Sequence, residues 1–144
     1  MSSTNFRFNI SPPNLINICV DERLGGEISG RLYHCYSEQA VPFTSIVELI
    51  TISEKLFEDI GFPQASTKTR TFEEKTEIQP LPKLEKKVLQ QELIKNRGKL
   101  GTFVLYVQFR QKSTWQGELS WLEKEQQIKF KNSLEFIKTI DQAI

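Results

Sequence analysis

One histidine, His34, and two cysteines, Cys19 and Cys35, are all that 144 residues offer in imidazole and thiol. Each scarcity closes off a class of chemistry. General acid and base catalysis draws on histidine more often than on any other side chain, and it needs a second positioned group beside it. A soft metal site needs grouped nitrogen and sulfur ligands, and His34 and Cys35, as neighbours in a strand, point to opposite faces. No metal, cofactor or catalytic set is therefore expected. A disulfide is not expected either. If the hairpin turns at Gly25 and Gly26, Cys19 falls opposite Leu32 and Cys35 opposite Ile16, too far apart for the short Cα spacing of a bridge. Two buried, reduced thiols are the expectation.

Glycine is sparse too, at seven residues, and none forms the loop between strand and helix that a P-loop or dinucleotide fingerprint requires. A serine nucleophile elbow is absent too. Apolar runs stop well short of the roughly 18 residues that span a bilayer. Met1 to Asn5 shows neither a basic start nor an apolar stretch, so a cytoplasmic protein is expected instead of a secreted one. The net charge of +1 lacks the basic footprint of a nucleic-acid binder.

What the chain does contain is an internal repeat. Residues 102–144 follow residues 15–57 at a constant offset of 87, with nine identities over the 43 positions. Val20 meets Val107, Arg23 meets Arg110, Gly30 meets Gly117 and Leu32 meets Leu119; Glu38, Gln39, Phe43, Glu48 and Ile50 meet Glu125, Gln126, Phe130, Glu135 and Ile137. Apolar character is kept at Ile16 with Phe103, Ile18 with Leu105, Ile28 with Trp115 and Leu49 with Phe136. A repeat of this kind sets the whole fold.

Each copy reads as three strands and a helix. Phe103, Leu105, Val107 and Phe109 alternate with Val104, Tyr106, Gln108 and Arg110, the period of two that marks a strand. Trp115, Leu119 and Trp121 continue one face of the next strand. Gly117, matched by Gly30, implies a bulge or the close approach of a backbone or ring, with Trp115 the expected ring. Ile128 and Phe130 form a short third strand. Helices follow, capped by Thr44 or Ser45 and by Asn132 or Ser133. Their expected inner stripes are Val47, Ile50, Glu54 and Phe57 in one, ended by Gly61 and Pro63, and Leu134, Ile137 and Ile140 in the other.

The repeat predicts an α+β fold of two tandem βββα units related by a pseudo-twofold axis, with an antiparallel sheet packed on helices. The units are expected to pair edge to edge or face to face, in the manner of a homodimer fused into one chain. Residues 1–144 then make one domain, with repeats 15–57 and 102–144 joined by a linker, 58–101. In the linker, Thr67 to Phe72 reads as an edge strand, Thr76 to Pro82 as an extended stretch and Leu84 to Asn96 as a connecting helix. Phe6, Phe8 and Ile10 suggest a further strand.

Two clusters invite a functional reading. Phe109, Arg110, Gln111, Trp115 and Gln116 gather aromatic, guanidinium and amide groups around the second hairpin, and Lys112, Arg31 and Glu118 are further candidates for an interaction surface. Such a group suits a peptide, or single-stranded nucleic acid whose bases stack on rings; its structural reading is an arginine lying over the Trp115 edge. Glu38 with Gln39, and Glu125 with Gln126, occupy equivalent turns and are expected to bond across the pseudo-twofold. His34, aligned with Trp121 and close to Tyr36, is expected to be structural.

The run FVLYVQFRQKSTWQGELSWLEKEQQIKFKNSLEFIKTID, with GRLYHCYSEQ and PFTSIVELI earlier in the chain, resembles an uncharacterised family of small bacterial proteins, over most of the length. That resemblance implies no activity and no functional residues. A non-catalytic interaction or scaffold module is thus the expectation, with a protein partner met through an exposed sheet edge or the linker helix, as a monomer or homodimer. The alternative is a nucleic-acid or nucleotide binder using Arg110, Lys112 and the neighbouring aromatics.

Overall fold

The computed structural model of the chain describes residues 12–63, 85–111 and 114–144. The readings placed on Phe6 to Ile10, Thr67 to Phe72 and Thr76 to Pro82 fall outside these residues, as does Lys112. In chain order the elements are β1 (Ile16–Leu24), β2 (Glu27–His34), β3 (Val41–Phe43), α1 (Ile46–Ile60), α2 (Gln90–Leu93), β4 (Gly101–Gln111), β5 (Thr114–Trp121), β6 (Gln126–Phe130) and α3 (Ser133–Ala143). The fold is α+β. Among the described residues, six strands form one antiparallel sheet in the order β3-β2-β1-β4-β5-β6.

The strands that the two hairpins contribute meet at the centre, where β1 and β4 pair over five residues from Ile16↔Leu105 to Val20↔Gly101. The two hairpins thus share one continuous sheet. Alternation along these strands produces two unlike faces. On one, Ile16, Ile18, Leu32, Phe103, Leu105, Leu119 and Trp115 are buried beneath α1 and α3. On the other, Asn17, Cys19 and Val104 are buried too, and residues 85–100 cross this face.

The helices start where side chains replace the missing intrahelical acceptors. Ser45 Oγ accepts from the Glu48 N–H at 3.1 Å and Asn132 Oδ1 from the Glu135 N–H at 2.9 Å, while Glu48 and Glu135 reach back to the N–H groups of Thr44 and Lys131, each at 2.7 Å. These reciprocal bonds satisfy donors that would otherwise be orphaned. Gly61 ends α1 at φ 71°, a left-handed conformation that its lack of a Cβ allows. The inner stripes differ from the sequence reading. Leu49, Leu56, Phe57 and Ile60 face the sheet from α1, Phe136 and Ile140 from α3, and Val47 and Leu134 stand in solvent at 67% and 59% exposure. Both displaced residues lie in a first turn, where the periodicity has too few members to fix the phase.

Three other expectations are corrected. The linker helix is one turn, Gln90–Leu93, instead of Leu84 to Asn96. Apolar residues spread around the cylinder give a longer helix no single face to bury, and instead the segment follows the sheet. Asn17 Nδ2 donates to the carbonyls of Leu93 at 2.8 Å and Asn96 at 3.0 Å, Arg31 Nη2 donates to the Arg97 carbonyl at 2.9 Å, and Asp21 accepts from the Lys99 N–H at 3.0 Å. Secondly, the Glu38 and Glu125 turns do not bond to each other. The loop after β2 and the loop after β5 lie at opposite ends of the sheet because β2 and β5 run antiparallel. Thirdly, Cys19 pairs with Arg31, not Leu32, because a bulge between Val20 and Glu22 shifts the register by one residue. Both cysteines are buried and unbridged.

Candidate functional site

The bulge recurs in β4, between Val107 and Phe109, and it decides what the second hairpin presents. An extra residue in one strand of a pair inverts the inside-outside alternation beyond it. Phe109, placed with the inward row by simple alternation, is therefore turned outward to 64% exposure, and Arg110 is turned inward to 3%. Opposite the bulge stands Gly117. A Cβ there would lie 2.1 Å from the Tyr106 carbonyl oxygen, and one on Gly30 would lie 1.9 Å from that of Cys19. The close neighbour is thus backbone, not the Trp115 ring, because the bulge pushes a peptide unit towards the facing strand.

Arg110 enters a prepared cage under α1. Its Nε donates to the Pro63 carbonyl at 2.9 Å, and its Nη1 donates to Glu54 at 2.8 Å and to Glu58 at 3.1 Å. The guanidinium carbon lies 5.7 Å from the centre of the Phe57 ring, so the expected stacking on Trp115 is replaced by one on Phe57. Trp115 is fully buried; its Nε1 donates to Glu54 at 2.5 Å and its ring packs against Phe57 and Phe136. Glu54 thus bridges the two groups that the hairpin sends inward. One carboxylate oxygen takes the arginine and the other the indole.

Beside this cage lies a cavity of about 510 Å³, lined by Phe62, Pro63, Gln108 to Gln111, Thr114, Gln116 and Lys131. It brings together four of the residues singled out in the sequence: Phe109, Arg110, Gln111 and Gln116. Sequence reasoning missed Gln108 and Thr114 on the same hairpin, Phe62, Pro63 and Lys131, which other elements deliver, and the carboxylates that hold Arg110. A signal existed: Arg23 and Arg110 each follow a valine by three residues, and Glu54 and Asp141 are acidic at the same offset of 87. Arg31 and Glu118 do not join the group. Arg31 lies on β2, bound to Asp21 at 2.9 Å and to the Tyr33 hydroxyl at 2.6 Å. Glu118 lies on β5, opposite Tyr106 and Lys129.

Burial and hydrogen bonding shift several titratable groups. His34 is half-buried, its Nδ1 accepts from the Tyr36 N–H at 3.1 Å, and burial lowers its pKa. Burial pushes the Cys19 thiol up to about 11, which suppresses the thiolate. The hydrogen bond from Arg31 lowers the pKa of Asp21. Among the described residues, no group of three or more His, Cys, Asp or Glu is placed to hold a metal ion.

Among the described residues, fold and site together define an α+β protein with one six-stranded antiparallel sheet, the helices α1 and α3 on one face and an open cavity at the end of its second hairpin. Among the described residues, no helix is long and apolar enough to cross a membrane. Comparison of the chain with protein families, curated proteins and solved structures returns no match.

Proposed function

We propose that this chain is a non-catalytic protein-interaction module of the cytoplasm, built from two tandem βββα units, 15–57 and 102–144, about a pseudo-twofold axis. The observation that carries the interaction reading is Phe109. A phenylalanine 64% exposed on the rim of a 510 Å³ cavity, amid Gln108, Gln111 and Gln116, offers an apolar anchor ringed by amide donors and acceptors. Pockets of this size suit a peptide side chain, and carboxamides pair with the flanking peptide backbone. The nucleic-acid reading has less to stand on, because Arg110, its central cation, is buried and bound to Glu54 and Glu58.

Support for the duplication comes from equivalence at the offset of 87. β2 and β5 begin at residues 27 and 114 and end at 34 and 121. The bulges sit at Val20/Glu22 and Val107/Phe109. At the central seam Ile16 pairs with Leu105 and Ile18 with Phe103, while the counterparts Asn17 and Val104 face each other. Reciprocal pairing of this kind is the rule of a twofold interface.

The test is affinity capture with the tagged chain, identification of the captured protein, and titration of that protein against wild type and Phe109→Ser. At least a tenfold loss with the fold intact is expected. Equal binding by the two chains overturns the assignment of the site.

A further inference from the structure

We infer that β6 is a self-association edge, at which a second copy of this chain adds its own β6 in antiparallel register and continues the sheet. The two sheet edges are unlike. β3 has three residues, and its middle one is Pro42, which has no N–H to give a further strand. β6 has five residues, Gln126–Phe130, with no proline, and among the described residues it is paired only with β5. An edge strand that lacks proline presents a row of donors and acceptors, a template for another strand.

The residues of β6 fit a copy of themselves. An antiparallel pairing centred on Ile128 sets Ile128 against Ile128 of the second copy, Gln127 against Lys129 and Gln126 against Phe130. No two like charges then face each other, the condition that cross-strand pairs impose. Ile128 is half-buried and Lys129 and Gln127 are exposed, so these side chains are available without unpacking the core. The molecule already contains a seam of this design: β1 and β4 join the two parts of the sheet through five antiparallel pairs with reciprocal register. β6 offers the same length of strand. A short seam of this kind belongs to the weak, concentration-dependent class of interface.

Sedimentation velocity on the full chain, from about 5 µM to about 500 µM, tests the inference over the range where weak association appears. A monomer that converts to dimer as concentration rises is expected. Ile128→Lys, which sets two ammonium groups against each other at the centre of the seam, abolishes the dimer while the far-UV circular dichroism stays that of the wild type. Val41→Lys on the opposite edge and Phe109→Ser at the cavity leave it unchanged, so this inference and the cavity reading fail separately. Ile128→Cys gives a disulfide-linked dimer on mild oxidation that reductant reverses. A chain that stays monomeric across the range, a dimer indifferent to Ile128→Lys, or one lost in Val41→Lys overturns the inference.

Discussion

Arg110 on β4 and Glu54 on α1 are joined at 2.8 Å, and their counterparts at the offset of 87, Arg23 on β1 and Asp141 on α3, are joined as well. Each pair ties a strand of one half to the helix of the other. The environments differ. Arg110 is 3% exposed and shares Glu54 with the buried Trp115, whereas Arg23 and Asp141 have side chains 30% and 57% exposed.

Removing the buried partner should therefore cost far more than removing its counterpart. Arg110→Met leaves Glu54 partly buried with only the indole N–H, and a loss of about 3 kcal/mol is expected. Arg23→Met should cost less than about 1 kcal/mol, as exposed pairs do. Urea denaturation of the two variants measures the contrast, and equal losses would show that the cage around Arg110 adds nothing.

Gly30 and Gly117 should resist substitution even by alanine. The added methyl collides with the carbonyl oxygen of Cys19 or Tyr106, and the backbone of the facing strand must move. A cost of at least about 2 kcal/mol is expected for Gly117→Ala from overpacking. Phe109→Ser, on an exposed side chain of the same hairpin, should fall within about 0.5 kcal/mol of wild type. Thermal melts of both chains provide the comparison.

Helix capping gives a third pair of equivalent sites. Ser45→Ala and Asn132→Ala should each cost about 1 kcal/mol, and for substitutions on separate helices the double variant should show the sum. Denaturant midpoints with an unchanged slope check this; a markedly smaller sum would mean that the helix ends are frayed in the wild type.

Acidification should weaken the fold through His34. Its folded pKa is lowered by burial, so the unfolded chain takes up the proton first. Stability is then full above the unfolded value of about 6.5 and falls as pH drops below it, until the folded imidazole is also protonated. His34→Gln should flatten the pH dependence of the urea midpoint between about pH 7.5 and pH 5. An unchanged slope would show that His34 is not its source.

Much of this architecture was legible in the residues. Alternation at Phe103, Leu105 and Val107, the caps at Ser45 and Asn132, and the stop at Gly61 are local features, settled by side-chain direction and backbone hydrogen bonds within a few residues. The cavity was half legible. Phe109, Gln111 and Gln116 drew notice as a cluster, but Phe62, Pro63 and Lys131 come to it from the ends of α1 and β6, at sequence distances over which no periodicity carries. Glu54 was read as part of a helix face. That it holds both Arg110 and Trp115 depends on where α1 crosses the sheet.

The amino-acid sequence alone determined the strands of the two hairpins, the turn at Gly25 and Gly26, the caps of α1 and α3, the stop at Gly61 and the inward glycines, because each follows from the sterics and hydrogen bonding of a short stretch of chain. The tertiary structure decided which side chains those strands display. One additional residue in β4 reverses the facing of everything beyond it, putting Arg110 into the core and Phe109 into water. The glycine that faces this bulge comes from the same hairpin, but the carboxylates that receive Arg110 come from α1, and they meet it only when distant segments pack together.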